Sequence, residues 1–595
     1  MKTKKAAAIM LALACALTLA SCTPGTGSGA AGGEATVVVG PAVRTLDPAL
    51  NASVDGSTYL TNAFAGIYSY KKSQSGGLEL QPECATEIVT PTPLGDGRYQ
   101  YVITLKEGLK WSDGVEVKAS DFEYAWKRAA DPATKADYQY IFDVIDGYDE
   151  SAPNLNVTSD DAARTVTVVT SSFCAYFDQL LAFATYYPVR KDIVEANPEQ
   201  WAVQADTYIT NGPFKLENWD LTGSQLVFAK NENYWDAANV KLDKLIFAMS
   251  DQDDANFTAY ENGTYMLLDN LPVSMIGKLK AERLGKDFYI SDYIGTFFLP
   301  FNANISLKPG IGNASSNDSA WSGWTTAQNA QARLALSLLI DRNYICDQIL
   351  QGGQIPANGF VPQGMSDGNG SDFRQTGKNW WDPGNVEGNR AQAIEILKGL
   401  GYAYDEASKK FTDFPTWVFA TNTNTSNIAL AEAIQNMWKE YGITVSVEQK
   451  DWAVFQTALT DGDFMQARMG WIADYNDPIN FLEIFSTSSG NNHPQLGRSG
   501  IVGLSSTFGP NADQSWEQYY QADIDAIKVE ADMSKRAELM HQAEAKLEEN
   551  MPFIPLYFYT RPNVCKPELK GVLRSPLGWI SFKEAYLETA PAAEQ

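Results

Sequence analysis

Apolar and polar residues alternate along RYQYVITLKEG (98–108), with Tyr99, Tyr101, Ile103 and Leu105 on one side. That period of two predicts a half-buried strand. A shorter β-branched run, ATVVVG (35–40), ends in glycine and predicts a second. The clearest unit begins at TWVFATNTN (416–424), an apolar run that gives way to Asn and Thr. In the SNIALAEAIQNMWKEYG that follows, Leu430, Ile434, Met437, Trp438 and Tyr441 share one helical face. Ser426 or Asn427 can cap its start, and Gly442 supplies a left-handed stop. Alternation then resumes through Ile443, Val445 and Val447. A strand–helix–strand unit of this kind belongs to a mainly parallel sheet, so the class is α/β. A further long helix is expected over 329–350, stopped by Gly352 and Gly353.

The 595 residues exceed what one core supports, so two or three units are expected. With 44% hydrophobic and 20% charged residues, the composition is that of a soluble folded protein. A net charge of −26 argues against nucleic acid or an anionic lipid surface as partner. The first 21 residues read as a signal peptide: Lys2, Lys4 and Lys5 precede an apolar stretch (6–20) too short to span a bilayer. Leu19-Ala20-Ser21-Cys22 resembles a bacterial lipobox, which implies a lipid on Cys22. Residues 22–36 would then be a lipidated Gly/Ser-rich tether holding the protein on the outer side of the cell membrane. Cys84, Cys174, Cys346 and Cys565 remain, as up to two disulfides or as buried thiols.

Several chemistries are excluded. With His493 and His541 as its only histidines, the chain has no HExxH pair and no cluster of His metal ligands. His541 lies on a charged helix face and His493 in what reads as a surface loop. No phosphate-binding glycine loop is present, and no carboxylate pair stands out for glycoside hydrolysis. No cofactor, metal or catalytic residue is implied, and the chain leans toward binding. One stretch raises a question of its own. In RMGWIADYNDP (468–478), Asp474 follows an apolar run and precedes an Asn-Asp-Pro turn. It either caps that turn or waits in a cleft for a cation.

LKEGLKWSDGVEVKASDFEYAWKRAADP (105–132), YITNGPFKLENW (208–219), NENYWDAANVKLDKLIF (231–247), ARLALSLLIDR (332–342) and GWIADYNDP (470–478) occur in one order. In that order they resemble the extracellular solute-binding proteins of family 5, which feed oligopeptide ABC importers. The resemblance implies a two-lobed periplasmic-binding-protein-like clamp, type II with an extra third domain. Discontinuous lobe I would combine 37–64, 189–294 and 561–595, the extra domain 65–188, and lobe II 295–560. It implies a monomer that passes oligopeptides to the membrane subunits of a permease and their ATPase partners. Asp474 matches the position that holds a peptide's ammonium group, and Arg468 one that meets a short ligand's carboxylate. Backbone groups of Met469, Gly470, Trp471 and Ile472 would pair with the peptide on one side, those of Ser53, Val54 and Asp55 on the other. Tyr138 matches a tyrosine near the ligand and Trp452 a tryptophan lining a side-chain pocket. A histidine near Asn427 and an arginine near Leu459, used by relatives on ligand C-termini, are missing. The ligand could instead be an oligosaccharide or metal chelate, and a secreted hydrolase is the remote alternative. The segments 306–329 and 486–513, rich in Gly, Ser and Asn, are expected to decorate the surface or the cleft rim.

Overall fold

The computed structural model describes residues 33–72, 78–219, 224–498 and 515–588. The signal peptide, Cys22 and most of the tether lie outside the described residues. Eight strands form the spine of one mixed sheet: β1 (Glu34–Val38), β2 (Phe214–Trp219), β3 (Gln225–Lys230), β4 (Lys244–Ala248), β5 (Leu267–Leu268), β6 (Phe288–Pro300), β7 (Met469–Ile472) and β8 (Phe553–Cys565). Their spatial order is β7-β6-β8-β5-β1-β4-β3-β2. β1 runs parallel to β4 and β5, and the remaining pairs along this path are antiparallel.

β6 and β8 are long enough to join two regions. At one end β8 pairs with β5, and at the other β6 pairs with β7. Between those ends their register shifts, from Asp292 opposite Thr560 to Thr296 opposite Phe558. Such an irregularity bends the strands and weakens the ladder locally.

The predicted strand–helix–strand unit is present. Trp417–Asn422 pairs in parallel with Val445–Lys450 on one side and Gln466–Ala467 on the other. Helix Thr425–Glu440 buries Leu430, Ile434, Met437 and Trp438, and Gly442 adopts φ 79°. Its cap is Asn424, whose side chain accepts from Asn427 N–H. Ser426 does not cap the helix, because its hydroxyl donates to Asp253 instead.

RYQYVITLKEG forms the strand Tyr99–Thr104 of a separate four-stranded antiparallel sheet, with Tyr101, Ile103 and Leu105 buried. The helix expected over 329–350 is broken. It runs from Thr326 to Leu338 behind a Thr325/Gln328 capping box, then restarts at Arg342 with Asp341 as the new cap. Buried Arg342 explains the break, since it donates to the Ser337 and Pro555 carbonyl oxygens and needs the turn to reach them.

The segment 306–329 is not decoration. Trp321 and Trp324 are buried, and their indole N–H groups donate to the Asn304 carbonyl and the Asn329 side chain. Among the described residues Cys84, Cys174, Cys346 and Cys565 are buried free thiols, and burial pushes those of Cys174 and Cys346 up to about 12.

Candidate functional site

The chain from Gln466 to Ile472 links the two sheets. Arg468 N–H still donates to Ala420 O at 3.2 Å in the parallel sheet, and Ala473 N–H donates to Ile294 O at 2.9 Å on β6. In an antiparallel pair, alternate residues turn their backbone groups to the partner. The N–H and C=O of Gly470 and Ile472 therefore face away from β6, and β7 is the free edge of its sheet. Gly470 is required there, because a Cβ would stand 2.2 Å from the Tyr559 hydroxyl. Gly470→Ala should weaken all ligands about tenfold or more by displacing that ring, a cost on the order of 1–3 kcal/mol. Calorimetric titration of the variant checks this.

Asp474 sits just past the edge strand. Asn480, fully buried, accepts from Asp474 N–H at 2.9 Å and donates to its Oδ2 at 3.0 Å. Tyr138 donates to Oδ1 at 3.2 Å. The Tyr138 ring is held between Phe183 and Trp471, with centroids 5.2 and 6.2 Å away. No cation reaches Asp474 among the described residues. Burial raises its pKa to about 7, the two hydrogen bonds oppose the rise, and Glu483 adds repulsion. Glu483 itself is paired with Lys528 at 2.9 Å. The turn-capping role belongs to Asp477, which accepts from Ile479 N–H and pairs with both terminal nitrogens of Arg536 at 2.7 and 3.0 Å. The two carboxylates of one loop thus differ: one is neutralised inside the protein, the other is not.

Arg468 is the complementary case. It makes no ion pair among the described residues. Its guanidinium donates twice to Asn422 Oδ1, at 3.0 and 2.7 Å, and lies 5.0 Å from the Trp452 ring. Burial lowers its pKa to about 10, against the attraction of Tyr559, Tyr557 and Asp55. Trp452 opens the helix Trp452–Asp461, stacks on Phe455 and leaves its indole nitrogen unpartnered. The side chains of Met469 and Trp471 are buried in the cleft wall.

Ser53, Val54 and Asp55 border the same cleft but do not form a second edge strand. Ser53 is extended and caps the helix Val54–Ala63, accepting from Gly56 N–H at 3.2 Å. Val54 and Asp55 lie in its first turn, where backbone N–H groups lack helical acceptors. This side of the cleft therefore offers donors at a helix start, not a ladder.

These residues line two adjoining compartments of about 130 and 350 Å³, which share Ser53, Val54, Trp452, Arg468, Gly470 and Ile472. The smaller holds Asp474 and Tyr138, the larger Asp55 and Tyr559. His493, expected on the surface, is buried and lines the smaller one, with burial lowering its pKa to about 4. Its segment 486–498 reaches the cleft through Asn491 and His493, with Ser489 and Asn492 buried behind them; 499–513 lie outside the described residues. No local pattern in NNHPQ signals this. Tyr559 was missed too, although its place in the apolar run FIPLYFY (553–559) could have marked the strand that carries it.

The family model of bacterial extracellular solute-binding proteins, family 5, matches residues 79–493. The oligopeptide-binding protein OppA of Bacillus subtilis is 31% identical over 558 residues, covering 91% of each chain. OppA of Listeria monocytogenes bound to peptide is 25% identical, with a TM-score of 0.76 over 94% of this chain and all of that one. The Escherichia coli murein tripeptide-binding protein MppA, 24% identical, aligns at 0.77 over 93% of this chain and 98% of its own. Its unliganded open form aligns at 0.59, over 94% and 99%. Model and relative agree across most of the sequence: the chain belongs to the bacterial extracellular solute-binding proteins of family 5.

Proposed function

We propose that this protein captures extracellular oligopeptides in the cleft and hands them to the membrane subunits of an ABC importer. The observation that carries the reading is a pair of uncompensated opposite charges beside one free strand edge. Asp474 lacks a cation, Arg468 makes no ion pair and draws only a longer-range attraction from Asp55, and the backbone groups of Gly470 and Ile472 lie between them in sequence. A peptide zwitterion supplies both missing charges and pairs with the edge as an added strand. Arg468 to Ile472 spans about 13 Å at roughly 3.3 Å per residue, the length of three or four peptide residues.

In this reading lobe I comprises 37–64, 189–294 and 561–595, lobe II 295–560, and the extra domain 65–188. The register shift in β6 and β8 supports a hinge there, since it falls beside residues 294 and 560. Three observations support a closed arrangement. Tyr138 of the extra domain reaches Asp474 of lobe II. Asp253 of lobe I accepts from Asn424 and Ser426 at the start of a lobe II helix, at 2.9 and 3.1 Å. The poorer alignment with the open form of MppA agrees with both.

Asp253→Ala removes an acid from a helix N-terminus, an interaction worth about 0.3–2 kcal/mol. The empty variant should populate the open form more, seen by small-angle scattering as a larger radius of gyration. Lipidation of Cys22 would keep the receptor beside its permease. Native mass spectrometry of the protein as isolated tests the function, with co-purifying peptides as the expected result and a retained oligosaccharide or metal chelate as the result against it.

A further inference from the structure

The larger compartment contains a second carboxylate with an unmet requirement. Asp55 stands in the first turn of the helix Val54–Ala63, yet its side chain turns inward and its Oδ2 has no hydrogen-bond partner. Gly40 makes the room for it: a Cβ at that position would approach the Asp55 Cβ to 2.7 Å. An acid in a first helical turn ordinarily faces water and the helix dipole. Asp55 instead lies against the cleft, where burial raises its pKa to about 6.

The surroundings sharpen the requirement. Asp251, Asp253 and Asp269 line the same compartment, against two guanidinium groups. One of these, Arg561, is committed to Asp269 through two hydrogen bonds. The other, Arg468, is held by Asn422 and attracts Asp55 only from beyond ion-pair distance. Asp251 and Asp253 have their own donors in Thr423, Asn424 and Ser426. Asp55 is thus the carboxylate here without a side-chain donor. The rings of Tyr293 and Tyr559, 5.4 Å apart and edge-on, line the same space; the Arg561 guanidinium already lies 4.9 Å from the Tyr293 ring, and Tyr559 is the aromatic suited to an incoming cation.

We propose that this compartment selects a basic side chain of the bound peptide, a lysine ammonium or an arginine guanidinium, with the Asp55 carboxylate as its counter-ion. The inference rests on the peptide reading and deepens it. Along a strand added to β7, successive side chains point to opposite faces, so a given register sends only alternate ones toward Asp55. The preference should therefore appear at particular peptide positions and not at their neighbours.

The test is a titration series on the full chain. Lysine, norleucine and glutamate are placed in turn at each position of tetra-alanine, and each peptide is titrated into the wild-type protein and Asp55→Asn. The expected result is a position where lysine binds about tenfold or more tighter than norleucine, as a charge-assisted hydrogen bond allows, and glutamate more weakly than either. In Asp55→Asn that lysine-to-norleucine ratio should fall to about twofold or less, the norleucine peptide serving as the variant's internal reference for folding. A flat profile across positions, or an unchanged ratio in the variant, overturns the inference and leaves the peptide reading standing. Failure of every peptide to bind the wild-type protein overturns both.

Discussion

Asp474→Asn should weaken the binding of free-amine peptides by about 10- to 150-fold, the equivalent of a charge-assisted hydrogen bond of about 1.5–3 kcal/mol. Asparagine keeps the size of the side chain and can still face Tyr138 and Asn480, so the loss reports the charge. N-acetylated peptides should already bind the wild-type protein poorly, and they should not be weakened further by the substitution. The same change has the opposite effect on the empty protein. A carboxyl whose pKa is raised by folding contributes stability that is full below about pH 4 and is lost as pH climbs through about 7. Asparagine carries no charge at any pH. The variant's empty form should therefore melt above wild type at pH 8 and alongside it at pH 4. Calorimetric titration and melting at the two pH values check both arms. Equal affinity of wild type for acetylated and free peptides would sink the assignment.

Affinity for a peptide with neutral side chains should rise about tenfold per pH unit between pH 5 and 7, then level off. The sign follows from the same group. In the empty cleft Asp474 holds its proton up to about pH 7, and an arriving ammonium lowers that pKa by favouring the charged form. Below pH 7, binding therefore releases up to one proton, and added protons oppose it. Above about pH 8 the peptide amine itself begins to deprotonate, so affinity should fall again. His493 adds little to this window, because burial keeps it neutral above about pH 4. Titrations at pH 6 in buffers of different ionisation enthalpy should show close to one proton released, and at pH 8 much less. A flat profile from pH 5 to 8 would mean that Asp474 is charged in the empty protein and has a cation of its own.

Much of the architecture was legible in the chain because it is local. The alternation through Tyr101, Ile103 and Leu105 and the helical face of Leu430, Ile434 and Trp438 record which side of each element is buried. The break in the helix after Leu338 was not legible. It depends on Arg342 reaching Pro555, more than two hundred residues away in sequence. The same holds for 306–329, whose composition suggests a surface loop while Trp321 and Trp324 anchor it. At the site, Asp474, Arg468, Trp452 and Tyr138 were found through resemblance, and the cleft brings them together. The strand edge expected at Ser53–Asp55 became a helix start. Val54 and Asp55 follow a capping serine with the glycine it binds close behind.

By itself, then, the amino-acid order determined the strand and helix periods, the α/β class and the loop that carries two aspartates three residues apart. Nothing within that loop distinguishes Asp474 from Asp477 as a receptor for a positive charge. Arg536, 59 residues further along, decides it by claiming Asp477. The physical reason is that a buried charge is settled by whatever the completed fold places beside it, and such pairings are made across the chain rather than along it.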